Sequence, residues 1–395
     1  MGYISGGDKL ILSSVNMVDS DRPINVQVND GKIIDVSFSR IKAADPLHLR
    51  FDQAIIFPGL INSHDHLDFN LFPQLGNKIY SNYTEWGKNI HENYKKEIAE
   101  VLEIPIALRA EWGIYKNLLC GVTTVINHGE KLATDNDLIN VFEETQCLHS
   151  VGFERRWKMK LNNPFKRKLP VNVHVGEGDD WLAYNEIDRL TRWNLFKKML
   201  VGVHAVAMTE KQAKKFNAIV WCPESNYFLL NKTAQVFNLK KHATILFGTD
   251  STLTSNWDIW NHLKLARKTR LLSDTSLYYA LTENAAQTWL LNSGKIAPGK
   301  DADLVIAKAK TDMINVDDFY SLTPADLLLV IHKGQIRLFD ETLLAQLKEL
   351  NKANFSKICV DGVTKYVQGD LPGLIANIRK YHPKANFPAS ITIPG

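Results

Sequence analysis

The sequence predicts an α/β fold, a parallel sheet or barrel flanked by shorter β segments, on three observations. From residue 54 to about 294, apolar runs of strand length alternate with segments of helical periodicity. That is the pattern of parallel strands joined by crossover helices. Several of the apolar runs end in His, Glu or Asp, and barrels of this kind carry their active groups at the C-terminal ends of strands. Both ends of the chain, by contrast, read as short strands and turns.

Taken in order, residues 10–12 start a strand and residues 24–28 alternate at period two. Asn29-Asp30-Gly31 then gives a tight hairpin turn into Lys32-Ile33-Ile34. No glycine-rich loop opens a helix after it, so this module is not a nucleotide site. A buried apolar run, residues 54–60, leads to His64 and His66. Residues 97–119 keep Ile98, Leu102, Ile106, Ala110, Ile114 and Leu118 on one face of a helix, kinked or restarted at Pro105. Strands are expected at residues 121–128, 146–153, 171–174, 199–204, 218–222 and 244–248. Thr209-Glu-Lys-Gln212 forms a capping box, and Ser255-Asn-Trp-Asp258 caps a later helix. After Gly294 strands return at 302–306 and 327–331, with Lys333-Gly334 as a turn. They complete the sandwich begun at the N-terminus. The expected division is therefore a small discontinuous β-sandwich from 1–53 and 295–355, an inserted barrel over 54–294, and an unplaced extension over 356–395.

Composition narrows the function classes. The 395 residues suffice for one large domain and a smaller one, and 45% hydrophobic with 23% charged residues is ordinary for a globular protein. A net charge of +4 without any extended basic block argues against nucleic acid. Lys166-Arg167-Lys168 reads as a solvated loop. No apolar window approaches the ~18 residues of a membrane span, and the first residues lack a basic-then-apolar leader pattern. Cys120, Cys147, Cys222 and Cys359 are widely spaced with no CxxC pair, the usage of free thiols in a reducing cytoplasm.

Side chains at i and i+2 of an extended chain share a face, so His64 and His66 present two imidazoles to one point. His174, His204 and Asp250 stand at the ends of later strands. Imidazoles with a carboxylate suit one divalent ion, Zn(II) or Fe(II), with room for a water. With these residues in view, the chain resembles the amidohydrolase superfamily, in its cytosine deaminase and chlorohydrolase-like branch. The matching pieces are Pro58-Gly-Leu-Ile-Asn-Ser-His-Asp-His66, Gly121-Val-Thr-Thr-Val125, His174-Val-Gly-Glu177 and Gly202-Val-His204. Pro223-Glu-Ser-Asn226, Gly248-Thr-Asp-Ser251 and Gly294-Lys-Ile-Ala-Pro-Gly-Lys-Asp-Ala-Asp-Leu304 complete the set.

The resemblance implies a (β/α)8-type TIM barrel and a homodimer. It makes His64, His66, His174 and Asp250 the metal ligands, Glu177 the proton shuttle, and His204 the neighbour of the metal-bound water. The implied reaction is removal of ammonia from an amino-substituted heterocycle by a metal-bound hydroxide. Asp250 would take the water's proton, and Glu177 would deliver one to a ring nitrogen and then to the leaving amine. Hydrolysis of a cyclic amide or of a C–Cl bond shares the same motifs, and an inactive barrel serving as a binding protein is the reading from another class. No strand-end lysine suits a dinuclear site, Lys158 and Lys160 lying in a polar segment, so one metal is expected.

The spacing departs from the pattern in one place. Only about 20 residues separate the third strand from His174, where a full βαβ unit takes about 30 or more, so either the barrel is abbreviated around its third to fifth strands or the strand count differs from this reading. Candidate contacts to a small-molecule substrate are His128, at the end of the second strand, Trp86 and His91 after the first, and Ser255 and Asn256 after the last.

Overall fold

The computed structural model describes residues 9–393 apart from 19, 21, 43–45, 133–136 and 312–313. The chain opens with β1 (Leu10–Met17), β2 (Pro23–Asn29), β3 (Lys32–Ser37), β4 (Leu47–Arg50) and β5 (Ala54–Pro58). Strand β2 buries Ile24, Val26 and Val28 on one face, as its alternation requires. The β2–β3 hairpin turns through Asp30 and Gly31, both at positive φ (48° and 73°), the backbone that an Asp-Gly turn supplies.

The apolar run at 54–60 divides between two sheets. Strand β5 pairs with β1, while β6 (Leu60–Asp65) starts a separate parallel sheet, so the change of sheet falls at Gly59 and not at residue 54. A Cβ at Gly59 would sit 2.1 Å from Thr123 Oγ1, and only glycine lets the chain cross there.

Helices α1 (Tyr83–Asn93), α2 (Lys95–Leu102) and α3 (Ile106–Leu119) follow β6, with Pro105 restarting the helix as its spacing predicts. Next come β7 (Val122–Asn127), β8 (Asn140–Phe142), β9 (Gln146–Ser150), α4 (Trp157–Leu161), β10 (Val171–Val175) and α5 (Trp181–Arg192). Strands β11 (Leu200–His204), β12 (Ala218–Trp221) and β13 (Thr244–Phe247) alternate with α6 (Glu210–Ala213), α7 (Pro223–Leu230) and α8 (Val236–Leu239). Strands β6, β7 and β8 form one parallel sheet, and β9 to β13 form another in sequence order. Backbone N–H groups of Thr249 and Asp250 donate to His64 O, joining the end of β13 to β6.

Between β8 and β9 the connection is short. Strand β8 pairs in parallel with β7 and β9 in parallel with β10, yet only residues 143–145 lie between β8 and β9. Three residues cannot return the chain for a second parallel strand. A single extended stretch therefore bridges the two sheets.

Helices α9 (Ile259–Thr269), α10 (Asp274–Ala280) and α11 (Glu283–Thr288) lead back to β14 (Leu304–Lys308), α12 (Val316–Ser321), β15 (Leu327–His332) and β16 (Gln335–Asp340). The stretch past residue 356, unplaced from sequence, supplies β17 (Phe355–Val360), β18 (Val363–Gln368), α13 (Leu371–Tyr381) and β19 (Ile391–Thr392). Strands from both ends of the chain share one eleven-stranded sheet, running β19-β17-β18-β16-β15-β14-β5-β1-β2-β3 with β4 beside β1. Its inner face has its own apolar cluster, including Leu12, Val26, Ile56, Leu329 and Phe339. Among the described residues no helix is long and apolar enough to cross a membrane.

Candidate active site

The strand ends converge as the spacing predicts. His64 and His66 come from β6, His174 from β10, His204 from β11, and Asp250 from the turn after β13; all are buried. His174 Nε2 lies 3.1 Å from His64 Nε2, and Asp250 Oδ1 lies 3.6 Å from His64 Nε2 and 3.7 Å from His66 Nε2. His204 Nε2 is 4.0 Å from Asp250 Oδ2 and 3.6 Å from Glu177 Oε1. Two overlapping donor sets each fall within 4.8 Å: His64, His174 and His204, and His64, His66 and Asp250. Gly248 allows the approach, because a Cβ there would lie 2.7 Å from the His64 Cβ.

Backbone strain collects here. His204 (φ 70°), Ala205 (φ 54°) and Asp250 (φ 59°) all occupy the left-handed region, which costs a non-glycine residue about 1 kcal/mol or more. The surrounding structure holds them. Asp250 accepts from Ser225 Oγ (2.8 Å), Thr254 Oγ1 (2.9 Å) and Ser251 N (2.9 Å).

A second relay fixes His204. Trp221 Nε1 donates to Thr233 Oγ1, which donates to Asn226 Oδ1 and so orients the amide. Asn226 Nδ2 then donates to His204 Nδ1 at 2.9 Å. The neutral ring therefore carries its proton on Nε2, facing Glu177 and Asp250. Nε2 of His204 is thus a hydrogen-bond donor toward the cavity floor.

Electrostatics sorts the ionisable groups. Burial lowers His66 to about 4 and His204 to about 3, and holds His174 well below the usual imidazole range. Neutral imidazoles are the form that ligates metals. Burial would raise Asp250, but the 3.6 Å contact with His64 and positive charge on His64, His204 or His66 act against it and hold it well below the carboxylate range. Glu177 goes the other way: burial, then the carboxylates of Asp250 and Glu186, push it well above its ordinary value. The donor set of neutral nitrogens and an ionised carboxylate fits a divalent ion, zinc or iron.

Above this floor lies a cavity of about 590 Å³. Its walls are mainly apolar, with Phe69, Phe72, Trp86, Ile90, Phe153 and Leu253. Trp86 uses its indole N–H on Leu75 O and leaves the ring to the cavity, and His91 also lines it. Ser255 and Asn256 do not: Ser255 Oγ bonds Thr249 O and Ser251 O, and Asn256 Oδ1 accepts from Asp258 N at the start of α9. His128 lies behind the floor, stacked on His174 at 4.2 Å, with neither ring nitrogen hydrogen-bonded. His149, unremarked in the sequence, lines the cavity 5.1 Å from the His174 ring. Ser225, Asn226 and Thr254 were also missed as site residues, although the Pro223-Glu-Ser-Asn226 motif marked the position of the first two.

Parallel strands whose ends bring together buried imidazoles and two buried carboxyl groups define a class, the metal-dependent hydrolases. Residues 156–337 match the Amidohydrolase family. The chain is 24% identical to a 5'-deoxyadenosine deaminase of Methanosphaera stadtmanae, over 85% of this chain and 92% of that one. It is 22% identical to a 5-methylthioadenosine/S-adenosylhomocysteine deaminase of Thermococcus sibiricus, covering 77% and 84%. Among solved structures it resembles a zinc-bound adenosine deaminase from Xanthomonas campestris, with TM-score 0.69, 18% identity and coverage of 96% and 98%. The zinc complex of atrazine chlorohydrolase TrzN from Arthrobacter aurescens superposes with TM-score 0.66 at 14% identity, covering 94% and 99%.

Proposed function

We propose that the protein is a metal-dependent aminohydrolase that replaces the amino group of a nitrogen heterocycle with a carbonyl oxygen and releases ammonia. The observation that carries this reading is the convergence of His64, His66, His174, His204 and Asp250 in one buried cluster, with Glu177 Oε1 3.6 Å from His204 Nε2 at the floor of the cavity. In this reading His64, His66, His174 and Asp250 hold one Zn(II) or Fe(II). Bound there, a divalent ion supplies Lewis acidity and brings the pKa of a water to about 7.

The chain's own groups then divide the proton traffic. Asp250 takes the proton of the attacking water, and Glu177 gives its proton to the ring nitrogen next to the carbon attacked. Proton transfer onward to the amino group makes ammonia the leaving group. His204 Nε2–H donates to the oxygen that gains charge. The apolar cavity walls suit the face of a heteroaromatic ring and an apolar substituent. The names of the relatives make adenosine derivatives altered at the 5' position the first compounds to try. We also propose that the two parallel sheets make one TIM-type barrel, shortened at residues 140–150 and set into a β module built from both ends of the chain.

The test begins with elemental analysis of protein purified without added metal, beside a His64→Ala/His66→Ala double variant. About one Zn or Fe per wild-type chain and none in the variant is expected. Ammonia release is then assayed on adenine derivatives, guanine, pterins and amino-triazines. Bound metal with ring opening of cyclic amides and no ammonia would replace this reading with amide hydrolysis. Absence of metal after reconstitution would end it.

A further inference from the structure

Beneath the imidazole cluster, Asp65 and Lys116 form an ion pair at 2.9 Å with both side chains sealed from solvent. Asp65 lies between His64 and His66 on β6, so its side chain points to the opposite face of the strand. Lys116 comes from α3. The pair is fully hydrogen-bonded. Asp65 also accepts from Asn117 Nδ2 (2.8 Å), Asn70 Nδ2 (2.9 Å) and Asn62 Nδ2 (3.3 Å), and Lys116 Nζ also donates to Asn70 Oδ1 (3.0 Å).

Fold stability does not account for such a pair. Removing two charges from water costs several kcal/mol per ion, and apolar replacements of similar volume are often neutral or stabilising. Its location offers a better reason. Asn62 donates from Nδ2 to Thr249 Oγ1 (2.8 Å) and accepts at Oδ1 from Thr249 N (3.1 Å). Lys116 Nζ reaches the same Thr249 Oγ1 at 3.5 Å. Thr249 precedes Asp250, whose backbone is held at positive φ and bonded to His64 O. The network thus ties the strand bearing two proposed ligands to the turn bearing a third, from the side away from the cavity.

We infer that Lys116 and Asp65 are positioning residues that hold His64, His66 and Asp250 in register for the metal. The inference rests on the assignment of those three residues as ligands. It concerns metal geometry and affinity, and neither side chain lines the cavity.

The test compares wild type with Lys116→Met, Asp65→Asn and the neutral pair Asp65→Asn/Lys116→Gln. Zinc dissociation constants are measured by chelator competition, visible spectra are recorded after Co(II) substitution, and melting temperature is measured separately. Each single variant is expected to bind zinc ~10–100-fold more weakly, the effect usual for groups that orient ligands, with an altered Co(II) band. The neutral pair is expected to recover much of the loss by bridging the same amides. If Lys116→Met does not fold, Asn117→Ala removes one uncharged donor to Asp65, and several-fold weaker binding is expected there. Variants with wild-type zinc affinity and wild-type Co(II) spectra would overturn the inference, whatever their melting temperatures. A wild type that binds neither ion would instead remove the ligand assignment, and this inference with it.

Discussion

Glu177 and Asp250 are both buried carboxyl groups, and their neighbours set them apart. Asp250 receives two hydroxyls and a backbone N–H, whereas Glu177 is buried near the carboxyl groups of Asp250 and Glu186. Glu177→Gln keeps the shape and removes the proton donor. It is expected to retain metal and lose about 3 kcal/mol of transition-state stabilisation, roughly a hundredfold in kcat. Metal loss in that variant would make Glu177 a ligand. Asp250→Asn should fold and lose nearly all turnover, and activity near wild type would remove Asp250 from the mechanism. His64, His66, His174, His204 and Asp250 were legible at the ends of apolar runs, a local signal, and Glu177 through the His-x-x-Glu motif of the family the chain resembles. Ser225, Asn226 and Thr254 were not, because their partners are Asp250 and His204, which only the folded chain brings to them.

At the scale of elements, strand and helix periods located most segments, and Pro105, the Thr209 capping box and Asp258 ended or began helices where expected. What the pattern could not show was partnership. The run at 54–60 is uniformly apolar whether it feeds one sheet or two, and only pairing reveals the change at Gly59. Glu186 is a similar case, an acidic residue within an amphipathic helix. In the fold its carboxyl accepts from Gly176 N (2.7 Å) and Tyr83 Oη (3.0 Å), tying α5 to α1 and to the loop that carries Glu177. Burial raises its pKa from 4.5 to about 7. Between those values the native state binds more protons than the unfolded chain, so this group makes stability fall as pH rises through that window. Glu186→Gln removes the slope. The melting temperature of the variant relative to wild type should rise between pH 5 and pH 8, by an amount equivalent to up to about 3 kcal/mol. A relative fall would show that the ionised Glu186, held by Gly176 and Tyr83, is the stabilising form.

Across the whole molecule, the proposed ligands come from β6, β10 and the turn after β13, and so from both parallel sheets. The terminal eleven-stranded sheet contributes none of them and has its own apolar cluster. A metal that binds only the native state stabilises it by mass action, about 2.7 kcal/mol at a free concentration of 100 Kd. Chelation should therefore lower the melting temperature, and it should do so unevenly. The strand ends that carry the cluster also hold strained backbone at His204 and Asp250. Those strand ends have the most to gain from local opening. Amide hydrogen exchange before and after chelation reads this directly. Faster exchange is expected in Leu60–Asp65, Val171–Val175 and Leu200–His204, with little change in Leu10–Met17 or Leu327–His332. Equal acceleration in the terminal sheet would mean that the two parts open as one cooperative unit. Unchanged exchange at all five segments, with metal loss verified, would show that these strand ends are held by packing and hydrogen bonds alone, without a contribution from the ion.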